Sequence, residues 1–306
     1  MTRQPGRPII FGEVLFDRFE DGSAVLGGAP FNVAWHLQGL GLRPLFVSRV
    51  GDDAAGRRVL DTMAAWGMDT SGVQRDARHP TGAVQVTLDA GQPSYEILPD
   101  QAYDFVDLAP LLESAADASL SLLYHGTLAA RSPASRETLF ALHERLGLPA
   151  FVDINLRAPW WRHDLVERAI AAARWVKLND DEMAEVLERD AVAGDSIDGE
   201  AQAMCQRLGL DLVIVTRGGA GACFARKGEV WCDEPAAVEK VVDTVGAGDA
   251  FAAVAILGLT KGWSPPRILR RALGFAAEIC QVRGATVDDP TLYRKQWNQW
   301  IDEPEG

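Results

Sequence analysis

The sequence predicts an α/β fold: a doubly wound, mostly parallel sheet flanked by helices, with a small β-sheet lid. Three observations carry that expectation. Apolar runs alternate with helix-period segments along most of the 306 residues, as βα units require. Two glycine-rich turns, Gly27-Gly28 and Gly246-Ala247-Gly248, each stand directly before an apolar helical segment. Two further stretches break the rhythm in the manner of hairpins rather than crossovers.

In chain order, Ile9 to Leu15 reads as a buried strand and Pro30 to Leu40 as a helix with proline in its first turn. Leu45 to Val50 is strand-like, and Ala54 to Trp66 is helix-like with Gly67 as its stop. Thr81 to Leu88 and Ser94 to Leu98 alternate around Ala90-Gly91-Gln92-Pro93 and predict a hairpin. Phe16 to Leu26 is too short and turn-rich for a crossover helix. Segments 16–27 and 81–104 are therefore expected to form the lid, which would exclude water from a reacting group.

Leu120 to Tyr124, Ala150 to Ile154, Trp175 to Leu178 and Leu212 to Thr216 are further short strands. Helices are expected at Pro133 to Leu146, Asp164 to Ala173, Asp181 to Arg189, Glu200 to Leu208, Ala250 to Leu259 and Pro266 to Arg283. With no internal repeat, low-complexity tract or long linker, residues 1–306 are expected to form one domain.

A hydrophobic content of 47% with 24% charged residues suits a globular core rather than disorder. The formal net charge of −13 argues against nucleic-acid or anionic-membrane partners. Only five of the 30 basic residues are lysines, which fits a salt-adapted host or an arginine-rich genome composition. No run of about 18 apolar residues occurs, and Met1 to Gly6 lacks a signal-peptide pattern, so a cytoplasmic location is expected. Cys205, Cys223, Cys232 and Cys280 show neither Cys-x-x-Cys spacing nor adjacent histidines. They are expected to be reduced, largely buried thiols. The histidines share no metal-ligand spacing, and only His125, in His125-Gly126-Thr127, is expected near a pocket.

The chemistry concentrates in Asp243-Thr244-Val245-Gly246-Ala247-Gly248-Asp249-Ala250-Phe251. Its glycines let the backbone approach a ligand, and the free N–H groups of the first helical turn donate to anions, helped by the helix dipole. Asp249 is the anomaly, because a carboxylate beside such a turn repels phosphate. Taking a proton from an attacking hydroxyl would outweigh the repulsion. A plain helix N-cap would also place an Asp here. The buried, small-residue helix that follows favours the phosphate site.

A second constellation, Gly27-Gly28-Ala29-Pro30-Phe31-Asn32-Val33-Ala34, can bring backbone donors and the Asn32 side chain to a ligand. Asp17, following the first strand, lies where open α/β sheets bind ligands. Together Asp17 and Asn32 could hold vicinal hydroxyls.

These two constellations in this order resemble the PfkB (ribokinase) family of carbohydrate kinases over nearly the whole chain. Gly27-Gly28-x-x-x-Asn32-x-Ala34, then Leu40-Gly41 and Gly51-Asp52-Asp53-x-x-Gly56, are similar to the family's first signature. Asp243-Thr244-x-Gly246-Ala247-Gly248-Asp249 is similar to its second, more specific one. Asn179-Asp180-Asp181-Glu182 resembles the Asn-x-x-Glu motif, and Thr216-Arg217-Gly218-Gly219-x-Gly221 the nucleotide-site turn.

The resemblance implies a ribokinase-like fold, ATP with Mg²⁺, and Asp249 as the base. Gly246, Ala247 and Gly248 would stabilise the phosphoryl in flight, and Asp17, Gly27, Gly28, Asn32 and Arg157 would hold the sugar. Asn179, Thr216, Gly218, Gly219 and Gly221 would line the nucleotide path, with Glu182 acting on Mg²⁺ through water. It further implies a possible K⁺ site near Asp243, Val245 and Arg283-Gly284-Ala285, and pairing of lids into a homodimer.

Asp153-Ile154-Asn155-Leu156-Arg157 resembles a run of fructokinase-like and ketodeoxygluconate-kinase-like members, and Trp160-Trp161 would flank it. Arg157 is the natural cation for a phosphate or sugar acid, although an ion pair with Asp153 is its structural alternative. Phosphorylation of fructose to fructose 6-phosphate is the leading expectation. Ketodeoxygluconate kinase or ribokinase is the nearest alternative, and a non-catalytic sugar or nucleotide sensor is the alternative of another class. A dinucleotide-dependent oxidoreductase is disfavoured because no Gly-x-Gly-x-x-Gly follows the first strand.

Overall fold

The chain begins with β1 (Arg7–Phe11), β2 (Leu15–Phe19), β3 (Ala24–Gly27) and α1 (Ala29–Gly39). It continues through β4 (Leu45–Gly51), α2 (Ala54–Ala65), β5 (Val73–Asp76), the hairpin β6 (Gly82–Asp89) and β7 (Gln92–Ile97), and α3 (Leu108–Ala115). A βα series follows: β8 (Leu120–His125), α4 (Pro133–Leu146), β9 (Ala150–Asp153), α5 (His163–Ala172), β10 (Trp175–Asn179), α6 (Asp180–Val186), α7 (Ile197–Leu208) and β11 (Leu212–Thr216). The antiparallel pair β12 (Ala222–Arg226) and β13 (Glu229–Asp233) leads into α8 (Ala247–Lys261), α9 (Pro265–Ile279) and α10 (Pro290–Asp302). This computed structural model describes residues 6–89, 92–115, 119–187, 197–236, 238 and 240–302. The expected turn residues Ala90 and Gly91, and Arg189 at the end of one expected helix, lie outside the described residues.

Among the described residues, nine strands form the main sheet in the order β13-β12-β11-β10-β9-β8-β1-β4-β5, parallel from β11 to β5 with the antiparallel hairpin at one edge. A separate sheet has the order β3-β2-β6-β7 and takes its strands from the two segments expected for the lid, with residues 98–104 outside it. In the main sheet, connections run outward in one direction from β1 and in the other from β8. The chain ends of these neighbours thus mark the switch point, where an open α/β sheet leaves a crevice.

Alternation along the strands sorts the core onto both faces. Ile10 and Phe46 pack with α1, α8 and α9 on one face, and Ile9, Phe11, Leu45 and Val47 pack under α3 and α4 on the other. Val152, Val176 and Val213 continue the second face under α5 and α7. Every residue of α8 from Ala250 to Gly258 is buried, so this helix has no solvent face over that stretch. Its small side chains admit α1 and α9 at close range.

Two expectations are corrected. The single strand expected over Ile9 to Leu15 is two strands in two different sheets, separated at Gly12-Glu13-Val14. Gly12 has φ 157, and a Cβ there would come within 2.3 Å of the Pro30 ring at the start of α1. Apolar runs do not reveal such a break, because both halves are buried.

The four cysteines are not all free thiols: Cys223 and Cys232 form a disulfide across β12 and β13. They are direct register partners of an antiparallel pair, with Cα atoms 4.1 Å apart. A separation of nine residues carries no motif signal, and only the hairpin makes them neighbours. Cys205 is free and buried, and Cys280 is free and half-buried.

Candidate active site

The C-terminal ends of β9 and β10, and the N-terminal ends of α1 and α8, bring Asn32, Asp153 and Arg157 to bear on Asp249. Gly246 adopts φ 81 as the N-cap of α8, and a Cβ on it would lie 2.5 Å from Ala285 Cα. Only glycine meets both demands. Ala247 N–H already donates to Thr244 O at 3.3 Å. The N–H groups of Gly246, Gly248 and Asp249 are therefore the turn's open donors among the described residues.

Asp249 is half-buried in the first turn of α8, and its Oδ2 accepts a 2.8 Å hydrogen bond from Asn32 Nδ2. A carboxylate can only accept, so this bond fixes the orientation of the Asn32 amide. The amide oxygen of Asn32 is then buried without a partner. An unmet buried acceptor carries a penalty, which a ligand hydroxyl donating to it would remove. Burial raises the Asp249 carboxyl to about 6, against the Asn32 hydrogen bond that lowers it. Asp153 adds to the rise, while Lys177 and Arg157 oppose it.

Lys177 is an addition that the sequence did not disclose. Its Nζ donates to both oxygens of the buried Asp153 at 2.9 Å. A Cβ on Gly248 would lie 3.7 Å from that ammonium, which places Lys177 beside the glycine turn. A lysine inside an apolar strand has no distinctive spacing, so no local pattern could have found it.

Glu13 is a second addition. It follows Gly12 at the end of β1, is 3% exposed, and its Oε2 has no partner. Burial raises its carboxyl to about 7, opposed by Arg157 and Arg131 and reinforced by Asp249. The signal available in sequence was its position immediately after a strand.

Asp17 does not stand at the end of β1. It lies on β2, half-buried, as register partner of Val25 and Val84. Burial raises its carboxyl, with Arg157 pulling the other way. The ion pair between Arg157 and Asp153 is not formed, because Asp153 is held by Lys177. Arg157 is exposed and directs its field at Glu13, Asp17 and Asp249. Gly28 is the N-cap of α1, where a Cβ would come within 2.8 Å of Glu13 O, and Gly27 ends β3. Trp160 flanks the Arg157 loop, with its Nε1 donating to Ile97 O of the smaller sheet at 3.2 Å.

On the other side of the α8 turn, Asn179 and Glu182 form a capping box. Asn179 Oδ1 accepts from Glu182 N–H at 2.7 Å, and Glu182 Oε2 accepts from Asn179 N–H at 2.8 Å. Glu182 Oε1 accepts from Leu156 N–H at 2.8 Å. Each carboxylate oxygen keeps further lone pairs for ordered water. Among the described residues no group of three or more His, Cys, Asp or Glu could hold a metal. A Mg²⁺ ion keeps several waters and binds readily through phosphate oxygens, and Glu182 is the carboxylate here that could reach those waters.

Thr216 ends β11, and Gly218, Gly219 and Gly221 form the short 3₁₀ turn and its exit beyond it. Asp243 Oδ1 accepts from Val245 N–H and its Oδ2 from Gly284 N–H, each at 3.0 Å. The side chain thereby ties together the two loops whose carbonyls were expected near a monovalent cation. His125 is buried, its Nδ1 donating to Gly126 O at 2.8 Å, and burial depresses it to about 4. It is neutral at physiological pH.

A raised carboxyl on Asp249, a buried amide oxygen of Asn32 without a partner, and a glycine turn with open N–H groups thus lie together. The model of the pfkB family carbohydrate kinases matches residues 10–292. A fructokinase of Klebsiella pneumoniae is 32% identical over 299 residues, covering 92% of this chain and 94% of its own. A 5-dehydro-2-deoxygluconokinase of Geobacillus thermodenitrificans is 28% identical over 281 residues, covering 87% of this chain and 82% of its own. A solved fructokinase of Vibrio cholerae O395, a double mutant with fructose, ADP and potassium ion bound, superposes with a TM-score of 0.79 at 26% identity. That match covers 96% of this chain and 99% of the solved one.

Proposed function

The chain belongs to the pfkB family of carbohydrate kinases, and from that premise we propose that it transfers the γ-phosphoryl group of ATP to fructose, giving fructose 6-phosphate. It is a sugar kinase with the ribokinase-like fold. The observation that carries the reading is the Asn32–Asp249 pair, with its raised carboxyl and its vacant amide acceptor.

Asp249 takes the proton of the sugar's primary hydroxyl as that oxygen attacks the γ-phosphorus. The bond from phosphorus to the β,γ-bridging oxygen breaks, and ADP departs with that electron pair. The open N–H groups of the Gly246–Gly248 turn stabilise charge on the moving phosphoryl, with Ala247 shaping the turn and Lys177 adding positive charge. Mg²⁺, when bound with the nucleotide, supplies charge neutralisation at its phosphates, and Glu182 orders the surrounding water. Asp17, Gly27, Gly28, Asn32 and Arg157 hold the sugar. Asn179, Thr216, Gly218, Gly219 and Gly221 line the nucleotide path. The loops tied by Asp243 offer carbonyls to a K⁺ ion.

A second reading is a kinase of a sugar acid such as 2-keto-3-deoxygluconate. The exposed Arg157 favours it, since it has no side-chain partner among the described residues and could face a carboxylate. The role of Asp249 is common to both readings. Asp249→Asn is expected to lower kcat by about 10²–10⁴-fold while sugar and nucleotide still bind. Steady-state kinetics together with calorimetric binding check this, and an unchanged kcat would remove Asp249 from the role of base.

The smaller sheet also supports lid pairing. Its Asp17 face carries the buried Leu15, Val84 and Val86, and the exposed Phe19, Val25 and Tyr95. We read this apolar face as the contact of a homodimer. Sedimentation equilibrium of Val25→Asp/Tyr95→Asp is expected to show monomers where the native chain shows dimers. A native chain that sediments as a monomer would contradict it.

A further inference from the structure

A cavity of about 940 Å³ opens at the opposite edge of the main sheet from the cleft. It is bounded by the chain entering β1 and β4, by the C-terminal ends of α1, α2 and α8, and by α10. Its volume lies in the range of small-molecule sites. Nothing in the proposed kinase chemistry uses it.

The charges lining it run against those of the whole chain. Arg7, Arg43, Lys261 and Arg294 face one carboxylate, Asp69, in a protein of formal net charge −13. Arg7 neutralises Asp69 through a 2.8 Å salt bridge. Among the described residues, Arg43, Lys261 and Arg294 take part in no salt bridge. Asp289 also feels Arg294, although hydrogen bonds from Thr291 are the main cause that lowers its carboxyl.

Three helix C-termini also meet here and must be set against those cations. Each contributes about half a negative charge, so together they offset roughly half of the three unpaired positive charges. The balance remains positive.

The loop before β4 is also held in place. Arg7 Nε donates to Arg43 O at 2.8 Å, and its guanidinium reaches Pro44 O at 3.2 Å. Arg43 itself is left-handed, with φ 50, a conformation that a long side chain adopts at a cost. Persistent strain at a polar residue is a marker of a constrained site. Beside these cations lie the Tyr293 and Trp297 rings, with Lys261 Nζ 5.8 Å from the Trp297 centroid.

We propose that this cavity is a second ligand site, which takes a phosphorylated small molecule with a flat or apolar body. The cations of Arg43, Lys261 and Arg294 receive the phosphate, and the Trp297 side supports the body. The site touches the far ends of α1 and α8, the helices whose first turns carry Asn32 and Asp249.

Phenyl phosphate is the probe, with phenol as its uncharged counterpart, and calorimetry is the readout. The native chain is expected to bind phenyl phosphate with a dissociation constant on the order of a millimolar or tighter. Phenol should bind at least about tenfold more weakly, since it lacks the charge-assisted hydrogen bonds. Arg43→Ala/Lys261→Ala, made at exposed positions, should weaken phenyl phosphate about tenfold or more, and Lys261→Arg should retain it. Absence of saturable binding would overturn the proposal. So would equal affinity for phenol, or an affinity unchanged in the double variant, which would place the probe at the catalytic turn instead.

Discussion

Asp249 does its proposed work because of where it sits, and its pH behaviour follows from that. Burial lifts its carboxyl from an ordinary 3.8 to about 6, so the basic form is lost as pH falls through that value. The rate should be flat above about pH 7 and fall tenfold per unit well below pH 6. A pH profile of kcat for the sugar-saturated enzyme checks this, and an acid limb near pH 4 would show that burial does not tune the base. The turns that carry Asn32 and Asp249 were legible because glycine spacing could be read together with the apolar helix after each. Glu13 and Lys177 were not, because their importance lies in burial and in partners far along the chain, 24 residues away for Lys177 and Asp153.

The decisive element is the turn into α8. Gly246 has no room for a side chain against Ala285 and adopts a left-handed φ. Gly246→Ala is expected to cost roughly 1–2 kcal/mol from the backbone conformation alone, with a larger loss in kcat because the open N–H donors shift. Thermal unfolding measured beside kcat separates the two, and a variant that loses stability but keeps its rate would show that the turn only caps the helix. Helix positions were largely readable from their 3.6-residue period: α8 and α4 appear where apolar spacing predicted them. The break between β1 and β2 was not readable, since strand periodicity continues through Gly12 while the chain changes sheets. The Cys223–Cys232 bond was hidden likewise, because pairing across β12 and β13 is a property of register and not of spacing.

At the scale of the molecule, the doubly wound sheet brings turns from both halves of the sequence to one edge. Asn32 and Asp249, 217 positions apart, meet at hydrogen-bonding distance because α1 and α8 pack side by side. That convergence explains why two separate glycine motifs could be read as one site before any contact was known. The identity of the sugar was less legible, because in the proposed reading it rests on Arg157, Asp17 and the smaller sheet, whose geometry no local motif encodes. The central claim is phosphorylation of fructose, and it is tested most directly by ADP release with MgATP and either fructose or 2-keto-3-deoxygluconate at equal concentrations. The account predicts a higher kcat/KM for fructose, with phosphate appearing on its 6-hydroxyl. Turnover of 2-keto-3-deoxygluconate without turnover of fructose would contradict it.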